Sequence, residues 1–95
     1  MKTEGALQRY FKSQAASHGI MWRKIKFEGQ SGCPDILIAH KGRIIFVELK
    51  SPTKKGRLSE IQKRQIKHFK NAGIKVHVVD DKEQVDNVIS EITDP

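Results

Sequence analysis

With a single cysteine, Cys33, the chain can form no intrachain disulfide and no cluster of thiolates around zinc. The four histidines, His18, His40, His68 and His77, are scattered without the spacing of a zinc site. No apolar run approaches the roughly 20 residues that span a membrane, and no apolar core follows Met1 as a secretory signal would require. A cytoplasmic protein is expected. Repeats, low-complexity runs and interdomain linkers are also lacking, so the 95 residues are read as one domain, 1–95. Acids are scarce over most of the chain. Residues 1–79 hold seventeen Lys and Arg against five acids, a balance of +12, whereas residues 80–95 balance to −5. This excess of cations favours a polyanionic partner, gripped away from the acidic tail; the competing reading is charge kept for solubility.

What is present reads as an ordinary globular composition, 37% hydrophobic and 31% charged. Residues 3–18 combine helix formers with apolar spacing at Leu7, Tyr10, Phe11 and Ala15, and Gly19 follows as a C-cap. Residues 21–27 alternate as a strand does, and residues 28–34 form a loop with two glycines. Residues 36–39 and 44–49 are rich in β-branched side chains and flank Lys41-Gly42, a hairpin turn in which Gly supplies a positive φ. Residues 51–57 make a basic loop. Residues 58–72 make a helix opened by Ser59 and Gln62 in capping-box spacing and closed by Gly73. A short strand at 74–79 and a final amphipathic helix at 82–92 complete the order α-β-β-β-α-β-α. The strand-helix-strand unit should bring the last strand parallel to its predecessor by a right-handed crossover. The fold class expected is α/β, a mixed sheet of about four strands flanked by helices.

The hairpin register decides the chemistry. Pairing His40 with Arg43 places Asp35 opposite Glu48, on one side of the sheet with Cβ atoms about 4.5 to 5.5 Å apart. Strand alternation adds Lys50 to that side. Two facing carboxylates repel each other, and a divalent cation removes the conflict; hard oxygen ligands suit Mg²⁺ or Mn²⁺. The bland alternative is a carboxylate pair partly neutralised by Lys50. Asp35 also follows Pro34, which is tolerated only at a strand start, bulge or edge, so the acid lies where a substrate can reach it.

Pro34-Asp35, followed after twelve residues by Glu48-Leu49-Lys50, resembles the signature of the PD-(D/E)XK nuclease superfamily. Gly32-Cys33-Pro34-Asp35, with Ser59-Glu60-Ile61-Gln62 downstream and Glu4 on the first helix, resembles one branch of it, the VRR-NUC family, in a stand-alone form of the phage type. That resemblance implies a restriction-endonuclease-like core. It implies that Asp35, Glu48 and the backbone carbonyl of Leu49 hold Mg²⁺ or Mn²⁺, with Glu4 approaching the metal directly or through water. It implies further that Lys50 positions or activates the attacking water, and that Gln62 orients Lys50 or a water ligand. It implies a structure-selective DNA endonuclease acting on branched or flapped DNA, such as Holliday junctions, in replication, repair or recombination. Such members tend to be homodimers, in bacterial or phage-infected cells. The chemistry fits, because a metal ion acidifies water and polarises the phosphodiester. The pKa of Lys50 is left open in either direction, so it is not assigned as general base.

Some residues keep two readings. Gln62 closes a capping box and also lies on the helix's inner face, four before Ile66 and seven before Phe69. Glu4 either favours the positive end of the first helix or serves the metal. Lys54, Lys55 and Arg57, with Lys63 on the next helix, are candidate phosphate contacts, since that loop leaves the catalytic strand directly; Arg64, Lys67 and Lys70 extend the basic run. Cys33 and the aromatic residues read as packing. One domain of this size is comparable with a duplex, so a symmetric pair would bring two sites to two strands. Two rival functions stand beside the nuclease: a basic nucleic-acid-binding module without catalysis, and a restriction-type subunit that needs a partner.

Overall fold

The computed structural model describes residues 2–53 and 57–95; Lys54 and Lys55, candidate phosphate contacts, lie outside the described residues. The elements run α1 (Glu4–Ser17), β1 (Met21–Lys24), β2 (Ile36–His40), β3 (Arg43–Leu49), α2 (Glu60–Asn71), β4 (Val76–Val79) and α3 (Lys82–Thr93). The four strands form one sheet in the order β1-β2-β3-β4, antiparallel except for the parallel pairing of β3 with β4. No helix of the described residues is long and apolar enough to cross a membrane.

Each helix begins where a side chain satisfies free backbone donors. The Thr3 hydroxyl accepts from the Ala6 amide at 3.0 Å, and the Asp81 carboxylate accepts from the Gln84 amide at 2.8 Å. Leu7, Phe11 and Ala15 then recur at helical spacing on α1, as do Val85, Val88, Ile89 and Ile92 on α3, and all are buried. The two helices pack on each other and on one face of the sheet, against Trp22, Ile36, Ile38, Ile45, Val47, Leu49 and Val79. Phe11 meets Trp22 edge-on, with ring centroids 6.1 Å apart.

α2 covers the opposite face, and covers it thinly. Phe69 packs on Phe46 and Phe27, at centroid distances of 4.8 and 6.1 Å, yet no residue of α2 is fully buried.

Three boundaries differ from the sequence reading by more than one residue. β1 stops at Lys24 rather than at residue 27: Ile25 still donates to the Asp35 carbonyl at 3.0 Å, one step on in the same register, and the chain then turns through Gly29 and Gly32, both at positive φ. Only Trp22 of β1 is buried; the face carrying Met21 and Arg23 is exposed. α2 starts at Glu60, since Ser59 is its cap rather than its interior, and β4 starts at Val76.

Gly32 has a steric reason to be glycine. Its φ is +88°, and a Cβ there would sit 2.8 Å from both the Gln65 Cγ and the Ile61 Cγ2 and 3.1 Å from the Ile61 carbonyl oxygen. Gly32→Ala is therefore expected to destabilise the protein by about 2 to 4 kcal/mol, strain and overpacking together. That loss should lower the melting temperature by on the order of 10 °C or more. A calorimetric melt within a degree or two of the parent would refute this close approach.

Candidate active site

The hairpin turn sets the site. Lys41 and Gly42 both take positive φ, 47° and 83°, as a two-residue turn of this kind needs. The register runs from His40 opposite Arg43 to Ile36 opposite Val47, and one further step brings Asp35 alongside Glu48. Their shared face is the one that carries Leu37 and Phe46, beneath α2. The hairpin thus brings Asp35, just before β2, to Glu48 near the end of β3 and, two residues past Glu48, adds an ammonium group.

Pro34 explains the local hydrogen bonding. The β3 amides of Phe46 and Lys50 donate to Lys75 and Val79 on the β4 side, so the peptide groups of Ile45, Val47 and Leu49 face β2. Opposite Leu49 the register puts Pro34, which has no N–H to return. The Leu49 amide is taken instead by the Asp35 carboxylate, at 2.9 Å. The Leu49 carbonyl is left without the ladder donor it would otherwise receive.

Glu48 is 3% exposed, the one charged residue buried among those described. Its Oε2 lies 3.1 Å from the Lys50 Nζ and accepts a hydrogen bond from the Gln62 amide nitrogen. Its Oε1 is buried and has no hydrogen-bond partner among the described residues. An orphaned carboxylate oxygen in the interior costs free energy unless something binds it. Beside it stand a second carboxylate and the Leu49 carbonyl, which Pro34 cannot serve, all hard oxygens, a donor set that fits Mg²⁺ or Mn²⁺.

Gln62 does both of the jobs the sequence set in competition. Its Oε1 accepts from the Ser59 amide at 2.9 Å, closing the capping box, and also from the Lys50 Nζ at 3.0 Å. Its Nε2 holds Glu48. The first turn of α2 and the end of β3 are thereby one hydrogen-bonded unit. Gln62→Ala should cost about 1 kcal/mol of stability through the cap and slow turnover about 10- to 100-fold through the loosened site. Gln62→Glu keeps an oxygen for the Ser59 amide but sets a carboxylate against Glu48 in place of the Nε2 donor, so it should not recover turnover; recovery of parent turnover would reduce Gln62 to a capping residue.

Burial pushes the Glu48 carboxyl up to about 7; the hydrogen bond from Lys50 pulls the other way, and the charge of Asp35 adds to the rise. The folded, metal-free protein then holds a proton that the unfolded chain, with an ordinary carboxyl at 4.5, has released. That contribution to stability is complete below the unfolded value and is lost as pH climbs through about 7. In chelator, the melting temperature should accordingly fall between about pH 5 and about pH 8 relative to Glu48→Gln, while stabilisation by Mn²⁺ grows over the same range. Parallel pH profiles for the two proteins would contradict this.

The other sequence candidates are less gathered. Glu4 lies exposed in the first turn of α1, and among the described residues no three of His, Cys, Asp and Glu assemble as a metal-binding group. Arg57 is exposed, as are Lys63, Arg64, Lys67 and Lys70 of α2; Lys63 is paired with Glu60 at 3.3 Å. Ser59, whose hydroxyl accepts from the Gln62 amide at 3.1 Å, was legible only as a cap. Its link to the site needed the coordinates.

Comparison with known proteins agrees with this fold. The VRR-NUC domain family matches residues 2–82. A solved structure described as a VRR-NUC domain is similar with a TM-score of 0.84 at 35% sequence identity, over 95% of this chain and 97% of that one. No curated protein matches at a significant level. The fold and these matches define a nuclease-type α/β domain. More narrowly, the chain belongs to the VRR-NUC family, a family of nucleases that generally use divalent metals and for which DNA is the substrate implied.

Proposed function

We propose that this chain is an Mg²⁺- or Mn²⁺-dependent endonuclease that hydrolyses phosphodiester bonds of branched or flapped DNA. One observation carries the reading. A buried glutamate keeps an oxygen with no partner among the described residues, beside a second carboxylate and with a lysine ammonium 3.1 Å from its other oxygen. Asp35, Glu48 and the Leu49 carbonyl would hold the metal. When bound, that ion supplies an acidified water and a Lewis acid at the phosphate. Lys50 orients the attacking water and offsets charge gathering on the scissile phosphate. Gln62 fixes the ammonium and the Glu48 carboxylate relative to each other. Glu4, exposed at the positive end of α1, serves the helix end.

Lys54, Lys55, Arg57 and Lys63 follow or flank the catalytic strand in sequence and are assigned to phosphate contacts, which makes binding fall steeply with salt. Junction substrates need two strands cut, so the working form is a homodimer.

The test is the purified protein with junction, flap, nicked and linear DNA, each in Mg²⁺, Mn²⁺ or chelator. Cleavage that requires metal and favours branched substrates is expected. Salt-sensitive binding without metal-stimulated cleavage on any substrate would assign the chain to the non-catalytic binding modules. A protein inert alone but active with a partner would make it a restriction-type subunit.

A further inference from the structure

α2 leaves a cleft along one of its flanks. Ile61, Gln65, His68 and Ala72 recur at helical spacing and so share that flank. It faces the segment between β1 and β2, where a Cβ on Gly32 would meet Ile61 and Gln65 and where the Phe27 ring stacks on Phe69. Farther along the helix, Phe27, Gln65, His68, Phe69, Ala72 and Ile74 line a hollow of about 250 Å³. Phe27 and Phe69 are only half-buried, with ring planes 19° apart and centroids separated by 6.1 Å. The hollow therefore offers aromatic surface to solvent, which packing alone does not call for. Two polar groups stand on its side. Among the described residues the side-chain hydrogen bonds of α2 are made by Glu60, Gln62 and Lys63, which leaves the Gln65 amide and the His68 imidazole without one.

The surroundings say what fits. Arg64, Lys67 and Lys70 are exposed on α2 and form no ion pair among the described residues, whereas Lys63 is held by Glu60. Lys26 is exposed beside Phe27, with Glu28 on the other side. A planar group would lie against the two rings, show its polar edge to an amide and an imidazole, and carry negative charge toward the cations. An unpaired nucleobase with its flanking phosphates has all three properties. Duplex DNA does not, because each base there has both faces covered by its neighbours. Position agrees with chemistry. Gln62, which contacts Glu48 and Lys50, precedes Phe69 by seven residues on the same helix. That is roughly 10 Å along the axis, the rise of about three stacked nucleotides.

We propose that the Phe27–Phe69 hollow seats one unpaired base of a DNA strand that leaves the active site along α2. The seat rests on the nuclease reading for its substrate and on the cleft for its place. It gives a physical source of preference for flapped over fully paired DNA: only a strand with an unpaired base gains the stacking contact. Arg64, Lys67 and Lys70 hold that strand's phosphates, and Gln65 and His68 meet the edge of the base.

The test compares two DNAs by fluorescence anisotropy of the full chain in chelator: a duplex with a short single-stranded flap, and the same duplex with an abasic flap, which keeps every phosphate and lacks the bases. The parent should bind the ordinary flap about 5- to 100-fold more tightly. Phe27→Leu keeps apolar bulk and loses the aromatic face; it should bring the ratio to under about threefold, with the helical spectrum and a cooperative melt retained. His68→Ala, at an exposed position, should narrow the ratio about 2- to 10-fold. Equal binding of the two flaps by the parent, or a folded Phe27→Leu protein with the parent's ratio, would overturn the proposal. Should Phe27→Leu not fold, His68→Ala decides, and an unchanged ratio overturns it. Cleavage in Mn²⁺ is read on the same proteins and DNAs. Equal binding of the two flaps together with metal-dependent cutting defeats the seat alone. Base-dependent binding without cutting in any sample supports the seat and defeats the nuclease reading.

Discussion

Glu48→Gln is expected to lower metal-dependent cleavage by about a thousandfold or more, a loss of about 4 kcal/mol of transition-state stabilisation, while leaving the fold and DNA binding in place. The replacement keeps the shape of the side chain. It still offers an oxygen to Lys50 or to the Gln62 amide, and it removes the charge that would let the orphaned Oε1 hold a metal. Asp35→Asn should lose activity on the same scale for the same reason. Its carbonyl oxygen can still accept from the Leu49 amide, as the carboxylate does at 2.9 Å, so the end of the hairpin has no cause to open. The measurement is single-turnover cleavage in Mg²⁺ and Mn²⁺ beside calorimetric binding of Mn²⁺. If both variants cut DNA within about threefold of the parent, a difference of under about 1 kcal/mol, the acids are not the centre of the reaction.

That these two acids meet was legible from residue numbers alone, because a hairpin side-chain period of two leaves no freedom once the turn is known. Lys41-Gly42 lies between two β-branched runs, and the structure pairs His40 with Arg43 as that turn demands. The core of α1 and α3 was likewise plain in the spacing of Leu7, Phe11 and Ala15 and of Val85, Val88, Ile89 and Ile92. Less visible was the extent of each layer. Residues 21–27 alternate in sequence, but whether Met21 or Trp22 faces the core depends on which side α1 and α3 occupy, a property of the assembled sheet. Gln62 was ambiguous for a related reason. Capping is local and reads out of four residues, whereas its contacts with Lys50 and Glu48 depend on how the crossover sets α2 over β3. Glu4 shows the opposite case. Its position in α1 was correct, yet helical position gives no distance to a site on another element.

Lys50 is the residue for which geometry separates two roles that sequence left together. Its ammonium sits 3.1 Å from Glu48 Oε2 and 3.0 Å from Gln62 Oε1. In the metal-free protein it partly neutralises the buried acid. Glu48, were it to hold a cation, would have less need of the ammonium, and Lys50 beside it would oppose a second positive charge on the same carboxylate. Lys50→Met should therefore leave Mn²⁺ affinity at about pH 8 unchanged or slightly higher, because Glu48, at about 7 in the parent, still releases its proton once metal competes for it. Turnover should fall about 100- to 1,000-fold, the cost of removing one charged donor from the developing negative charge. Lys50→Arg should recover only a part of this, for the planar guanidinium carries the charge but cannot place a single compact donor between Glu48, Gln62 and the water. Metal titration and single-turnover rates on the same preparations decide the matter. A loss of Mn²⁺ binding that accounts for the whole loss of rate would make Lys50 a support for the acids, with no action of its own on phosphate or water.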